Sequence, residues 1–276
     1  MKSSRVTLWV LAAVLAAAGS VHAGEIQVNR GAYTLQAEES GAGPVTVVFE
    51  SGFGQGAGAW KSVIAGLGQG YHSIAYARAG LGRSGSDGQP KRIDAHLADL
   101  TAVIDTLAPG RRIVLVGHSY GGLLATEFAR RHPERLQGLV LVDPATLGQR
   151  HAFMAADSAR VQADDAQLRA MLPPVLAADY TLLIEQLDAP GADTPRTMPD
   201  VPVALLTATQ LAAEPLFFEE TAAGKALWKH QHALLFSAFT RGSHRYLPTG
   251  HNLQREDPAA VVAAISAVAG QAEPIE

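Results

Sequence analysis

The chain has 276 residues, a formal net charge of −4 and no cysteine. The absence of cysteine excludes disulfides, thiolate chemistry and zinc or iron–sulfur sites ligated by cysteine. The acidic balance argues against nucleic acid and anionic membrane surfaces as partners, and a hydrophobic content of 47% lets a chain of this length bury a large core.

The first 23 residues have the three-part pattern of a secretory signal peptide. Lys2 and Arg5 precede an apolar run over residues 6–18, and Val21-His22-Ala23 places small residues at the −3 and −1 positions of a cut after Ala23. The apolar run is short for a membrane span, although an uncut anchor is the alternative. We therefore expect a periplasmic or secreted protein, with the periplasm favoured and no stable membrane anchor after cleavage.

Beyond residue 23, short apolar runs alternate with longer helical patterns. The predicted strands cover residues 33–37, 45–50, 72–77, 112–117, 138–143, 203–207 and 243–247. The predicted helices lie near residues 59–67, 93–107, 121–131, 224–239 and 258–269. Several strands are nearly continuous Val, Ile and Leu, as in parallel strands covered on both faces. We therefore predict an α/β fold with a mostly parallel sheet and helices on both faces.

Residues 145–199 break this alternation. They contain helical patterns and Pro173-Pro174 but no good strand. We predict that they form a helical cap, inserted into a core made of residues 24–144 and 200–276. Seven apolar or aromatic residues of the cap have two possible roles: they line an apolar pocket, or they pack the cap onto the core. We favour packing for most of them. The seven are Phe153, Met154, Met171, Leu172, Leu176, Tyr180 and Leu183.

The most informative motif lies between a predicted strand and a predicted helix. Gly117-His118-Ser119-Tyr120-Gly121 fits G-x-S-x-G. A tight turn here needs small residues at the flanking glycine positions, and it holds the serine at a strained backbone angle with its hydroxyl above the sheet. We predict that Ser119 is a nucleophile. The alternative is a tight β–α turn without catalysis.

The predicted general base is His251. A serine hydroxyl needs a base, and the base needs an orienting group. His251 follows Gly250 at the end of the last predicted strand, before Pro258 starts the final helix. His230 and His232 are two residues apart, so they do not share a helix face, and there is no H-E-x-x-H. We predict no metal site.

Three segments resemble the α/β-hydrolase fold family. Residues 117–122 are similar to its nucleophile elbow, residues 249–252 to its catalytic-histidine loop, and residues 76–84 to its Y-D-R-x-G-x-G-x-S segment. The resemblance covers most of the sequence after residue 23 and implies the α/β-hydrolase fold. Ala77 stands where this segment usually carries an acid. Dehalogenases and epoxide hydrolases of this fold use a carboxylate nucleophile, and Ser119 argues against both activities.

The resemblance also implies an acidic partner for His251. The family most often places it after the strand predicted at residues 203–207, where Glu214 is the next acid along the chain. Some members carry it at the end of the preceding strand, which here is Asp143. Ligands and catalytic groups gather at the carboxyl ends of parallel strands. We predict Asp143, with Glu214 as the second candidate.

The glycine-rich loop after residue 50 allows two interpretations. Gly54-Gln55-Gly56-Ala57-Gly58-Ala59 fits the dinucleotide fingerprint G-x-G-x-x-A, but residues 51–86 contain no acid that could bind a ribose. The resemblance instead implies that Ser51-Gly52-Phe53 replaces the family's H-G-x oxyanion loop. The backbone N–H groups of Phe53 and Tyr120 are then expected to hold the oxyanion of a tetrahedral intermediate.

Together these features predict an exported serine hydrolase that needs no cofactor and cleaves esters of small or medium hydrophobic substrates. The oligomeric state is left open. Three alternatives remain: a serine aminopeptidase or amidase, a cofactor-free C–C bond hydrolase, and an inactive binding protein of the same fold. An aminopeptidase would need a carboxylate for the substrate amine, and the cap offers Asp157, Asp164, Asp165 and Asp179.

Overall fold

The structure, a computed structural model, describes residues 24–191 and 196–271. The predicted signal peptide lies outside the described residues, so its cleavage stays a prediction. Within the two described ranges, no helix combines the length and the hydrophobicity that crossing a membrane requires.

One eight-stranded sheet organises the described part of the chain. The strands are β1 (Gly24–Asn29), β2 (Thr34–Ser40), β3 (Val45–Glu50), β4 (Tyr71–Tyr76), β5 (Ile113–His118), β6 (Leu136–Val142), β7 (Val203–Ala208) and β8 (Gly242–Leu247). Their order is β1-β2-β4-β3-β5-β6-β7-β8. The β1–β2 and β2–β4 pairings are antiparallel, and the other five pairings are parallel. The predicted fold class, a mostly parallel sheet within an α/β fold, is confirmed.

Helices cover both faces of this sheet. They are α1 (Lys61–Leu67), α2 (Ile93–Leu107), α3 (Tyr120–Arg131), α4 (Gln149–Met171), α5 (Pro174–Leu187), α6 (Ala222–Ser237), α7 (Leu253–Glu256) and α8 (Pro258–Gly270). One hydrophobic core lies under α2, α3 and α6, and a second lies under α1 and α8. The strands between them are buried on both faces, which explains their continuous apolar sequences.

The sequence analysis has no strand before residue 33, and this is wrong. β1 forms the edge of the sheet and pairs antiparallel with β2 alone. Its sequence, GEIQVN, carries only two apolar residues, Ile26 and Val28, and only Val28 is fully buried. An edge strand with so little apolar content lacks the signal that identified the inner strands.

The crossover in the strand order brings the candidate residues together. β3 lies between β4 and β5, so the chain leaves β3 towards one side of the sheet and later returns on the other. The carboxyl ends of β3, β5 and β6 therefore share one edge of the sheet, at a topological switch point. Helices α4 and α5 follow β6 directly and contact each other.

Candidate active site

Ser119 lies in the turn between β5 and α3, with backbone angles φ 52° and ψ −122°. This is the strained conformation expected for the motif. The turn leaves no room for side chains at its flanking glycines. A Cβ on Gly117 would lie 2.4 Å from the carbonyl oxygen of Gly121, and one on Gly121 would lie 2.2 Å from that of Glu50. The spacing of the motif thus follows from the contact between α3 and the end of β3.

The structure brings Asp143, rather than Glu214, to His251. Asp143 follows β6 directly, has a positive φ of 43° and is fully buried. The Nδ1–H group of His251 donates to its Oδ2 at 2.7 Å. Its Oδ1 accepts the Ala208 backbone N–H at 2.9 Å and Trp228 Nε1–H at 2.8 Å. Glu214 lies exposed in the segment between β7 and α6.

The interaction between Asp143 and His251 sets the charge state of both groups. Burial alone would raise the pKa of Asp143, but the hydrogen bond from His251 and the charges of His251 and Lys225 hold it below its ordinary value. Burial alone would lower the pKa of His251, yet the hydrogen bond to Asp143 and its negative charge raise it. The pair therefore favours an ionised carboxylate that stabilises an imidazolium.

His118, the variable residue before the serine, fixes the backbone of the histidine loop. It is fully buried, and burial lowers its pKa to about 3, so it is neutral at physiological pH. Its Nε2–H group donates to the backbone carbonyl of His251 at 2.9 Å, and the two rings lie 4.8 Å apart. The sequence analysis missed this role because position 118 is unrestricted in the motif.

No hydrogen bond joins Ser119 and His251 in the described part of the chain. Within the described residues, Ser119 Oγ has no hydrogen-bond partner. Because Nδ1 of His251 donates to Asp143, its Nε2 is the nitrogen left to accept a proton. Catalytic hydrogen bonds often form only when substrate is bound, so this arrangement is compatible with a serine and its base.

The two candidate oxyanion donors belong to different elements. Phe53, in the loop after β3, and Tyr120, the first residue of α3, line one cavity with Ser119. Within residues 24–191 and 196–271, neither backbone N–H donates to a protein acceptor. Their rings also pack edge to face, with centroids 5.7 Å apart. Free N–H groups beside a serine can stabilise a developing oxyanion.

A buried ion pair holds the loop that carries Phe53. The guanidinium of Arg78 donates to the carboxylate of Glu50, to the Ser51 carbonyl oxygen at 2.6 Å and to the Gly52 carbonyl oxygen at 2.5 Å. It also lies 5.3 Å from the centre of the Tyr120 ring. Arg78 therefore contacts the elements that carry both candidate oxyanion donors.

The chain departs from the family pattern at two positions of this region. Other contacts hold the local structure at both positions. Glu50 supplies the carboxylate for Arg78 that Ala77 does not, and it also accepts a hydrogen bond from Tyr76. Ser51, which stands where the family has histidine, accepts Trp60 Nε1–H at 3.0 Å and donates to the Gly56 carbonyl oxygen at 3.1 Å. A charged residue at the end of an apolar strand was the available sequence signal for Glu50, since buried charges need partners.

The first of two cavities next to these residues is mainly apolar and has a volume of about 240 Å³. It extends from Ser119 between α4, α5 and α6. Three of the seven apolar cap residues named above line it: Phe153, Tyr180 and Leu183. Met171 instead is 62% exposed.

A second cavity of about 500 Å³ lies against His251 and is less apolar than the first. Three residues line both cavities, which therefore adjoin: Phe217, Glu219 and Trp228. Across the part of the chain that the structure describes, no group of three or more His, Asp or Glu side chains is arranged to hold a metal ion.

Comparisons with known proteins agree with the fold and the motif. A sequence profile described as the alpha/beta hydrolase family matches residues 47–264. The uncharacterized protein YqjL of Bacillus subtilis is 24% identical over 226 residues, which cover 82% of this chain and 83% of YqjL. The pimeloyl-(acyl-carrier protein) methyl ester esterase of Edwardsiella ictaluri is 36% identical over 102 residues, 37% of this chain and 37% of the esterase.

A solved structure extends the similarity to almost the whole fold. The crystal structure of a hydrolase from Pseudomonas aeruginosa PA01 superposes with a TM-score of 0.63 at 16% identity, over 91% of this chain and 99% of that one. At this identity the likeness concerns the fold alone.

Proposed function

Because the chain belongs to the alpha/beta hydrolase family, we propose that it is an exported serine hydrolase. Its substrates are carboxylic esters with small or medium hydrophobic groups, cleaved through an acyl-enzyme. The hydrogen bond from His251 to Asp143 carries this proposal, because it leaves Nε2 of His251 as the base beside a strained serine. The apolar cavity at Ser119 supports a hydrophobic substrate group.

The proposed reaction has two halves. In the first, Ser119 Oγ attacks the ester carbonyl carbon while His251 Nε2 takes its proton, and the oxyanion accepts hydrogen bonds from the N–H groups of Phe53 and Tyr120. Collapse of the intermediate breaks the bond to the alcohol, which leaves with the proton from His251. In the second half, His251 deprotonates a water that attacks the acyl-enzyme, and the acid and free Ser119 are released.

The contacts and positions of the four cap aspartates argue against the aminopeptidase alternative. Asp165 accepts hydrogen bonds from Arg150 and Tyr180, and Asp164 accepts them from Arg160 and the Phe218 backbone. The other two candidates do not line the apolar cavity: Asp179 accepts the Lys91 backbone N–H, and Asp157 is exposed. These four carboxylates are therefore poor receptors for a substrate amine.

The deciding experiment is covalent labelling of the mature protein. We expect a fluorophosphonate to add one adduct to the wild type, seen by intact mass, and none to Ser119→Ala. The wild type should also hydrolyse acetyl and butanoyl esters faster than aminoacyl anilides. A folded wild type that forms no adduct would overturn the serine hydrolase mechanism and favour the inactive binding protein.

The substrate is then a small-molecule ester, and no nucleic acid or membrane partner is part of the proposal. Export to the periplasm rests on the predicted signal peptide alone. N-terminal sequencing of the protein recovered from the periplasm of an expressing bacterium should begin at Gly24. A retained Met1 would contradict cleavage.

A further inference from the structure

The second cavity differs from the apolar one in what it offers a ligand. It is lined by three glutamates and one lysine, together with His251 and aromatic side chains. If the proposed ester cleavage is correct, one part of the substrate occupies the apolar cavity at Ser119. The other part then extends past His251 into this polar cavity.

Two charged side chains of the polar cavity make no hydrogen bond or ion pair within the described residues. Lys225 is only 8% exposed, yet within the described residues its ammonium makes no hydrogen bond or ion pair and lies 5.7 Å from the centre of the Trp228 ring. Glu219 is half-buried and likewise makes no hydrogen bond or ion pair. The two also lack an N–O contact of 4.0 Å or less with each other.

The other two glutamates of this cavity are already held by backbone groups. Glu220 accepts the N–H groups of Leu216 and Phe217, and Glu256 accepts that of Gly250. These bonds explain their position without a ligand. Glu219 and Lys225 make no such bonds, so their charged groups are available to a ligand in this cavity. Burial also raises the pKa of Glu219, against the opposing effect of His251 and Lys225.

We propose that Glu219 and Lys225 form a subsite for a zwitterionic alcohol, the leaving group of the ester. Glu219 pairs with its ammonium group, and Lys225 pairs with its carboxylate or another anionic group. The natural substrate class is then an ester of an apolar acid with a zwitterionic alcohol. This inference deepens the proposed function and rests on it.

Two matched substrate pairs test each charge separately. The first pair is butanoylcholine and 3,3-dimethylbutyl butanoate, which differ in the replacement of the ammonium nitrogen by carbon. The second pair is O-butanoylcarnitine and its carboxamide, which differ in the negative charge. We expect the wild type to prefer the charged member of each pair by about tenfold in kcat/KM, as for a close pair of opposite charges in a binding site.

Single substitutions assign each preference to a residue. Glu219→Gln should remove the preference for butanoylcholine, and Lys225→Met should remove the preference for O-butanoylcarnitine over its carboxamide. Glu214→Gln and Lys229→Met are matched controls, because neither residue lines the polar cavity, and both should keep the wild-type ratios. Ratios at one pH cancel any change in the reactivity of His251, which all four substrates share.

The outcomes separate this inference from the proposed function. A wild type that labels at Ser119 and cleaves esters, but shows neither preference, would overturn the zwitterion subsite alone. Preferences that survive Glu219→Gln and Lys225→Met would overturn it as well. Carnitine binding to Ser119→Ala, measured by calorimetry, gives a readout without turnover. Binding that both substitutions weaken would support the subsite even if no ester were cleaved, and no binding together with no turnover would overturn both proposals.

Discussion

The two sides of the candidate site are built differently. On one side, Ser119 and Asp143 follow neighbouring strands directly, and Asp143 has three hydrogen-bond donors. On the other side, the two cavities are lined mainly by α4, α5, α6 and the segment after β7. There Glu219 and Lys225 make no hydrogen bond or ion pair within the described residues.

This difference predicts that the two sides control different properties. The sheet side controls the reactivity of the site, and the cavity side controls its selectivity among substrates. The hydrogen bonds of the sheet fix the positions of residues at strand ends. Their geometry should therefore change little when nearby side chains are replaced. Residues on α4, α5, α6 and the segment after β7 would contact a substrate without fixing the reacting atoms. Substitutions on the sheet side should therefore act on kcat for every ester, whereas those on the cavity side should change the order of preference among esters.

The largest expected effect comes from Asp143→Asn. An amide donates a hydrogen bond to Nδ1 of His251 and so favours the wrong tautomer, in which Nε2 carries the proton. We expect kcat to fall by about 10⁴-fold for every ester tested. The measurement is steady-state hydrolysis of a chromogenic butanoate, with fluorophosphonate labelling in parallel.

The control for this substitution is Glu214→Gln, which alters the other candidate acid. Because Glu214 is exposed, its replacement should leave kcat within about twofold, as surface substitutions usually do. A loss for Glu214→Gln as large as that for Asp143→Asn would contradict the assignment of the acid.

The next largest effect is expected from replacing Arg78, which donates hydrogen bonds to the loop that carries Phe53. Arg78→Met removes the donors to Ser51 and Gly52 and leaves Glu50 buried without its cation. We expect kcat to fall by about 10²-fold, as when one oxyanion donor is misplaced. The free energy of unfolding should fall by about 3–5 kcal/mol, measured by denaturant titration.

A double substitution separates loop positioning from stability. Arg78→Met with Glu50→Gln removes the uncompensated charge and should recover much of the unfolding free energy. It should not recover kcat, because the carbonyl groups of the loop still lack their donor. Recovery of kcat together with stability would mean that Arg78 is only a structural residue.

The two sides also differ in how far sequence predicts them. The inner strands and the position of Ser119 between a strand and a helix could be predicted, because continuous apolar runs and the G-x-S-x-G spacing each depend on local sequence. The contact between Trp228 and Asp143 joins residues 85 positions apart and leaves no local pattern. The same is true of Glu219, which became a candidate only when the fold placed it between two cavities.

A smaller effect should follow from enlarging the apolar cavity. Leu183 lines it and is buried, so Leu183→Ala should shift the kcat/KM ratio of octanoate to butanoate esters upwards by about tenfold. Met171→Ala is the matched control, since Met171 is an exposed cap residue that does not line the cavity. An equal shift in both variants would point to a general loosening of the cap.

The smallest expected effect is a shift in the pH profile of kcat/KM when a charged residue of the polar cavity is replaced. His251 acts as a base only when neutral, so activity falls as the pH drops through its pKa. Asp143 and Glu219 raise this pKa, and Lys225 lowers it. The neighbouring His118 and His232 are kept neutral by burial, with pKa values of about 3 and about 4.

Glu219→Gln should therefore move the acid limb of kcat/KM for a neutral ester to lower pH, and Lys225→Met should move it to higher pH. The two expected shifts have opposite directions. Unfolding at low pH would instead move the acid limbs of both variants in the same direction, so the two causes can be told apart. Identical limbs in both variants would mean that the two charges lie too far from His251, or in too much water, to influence its protonation. In that case the polar side of the site would act on the substrate alone, and the separation between reactivity and selectivity would be complete.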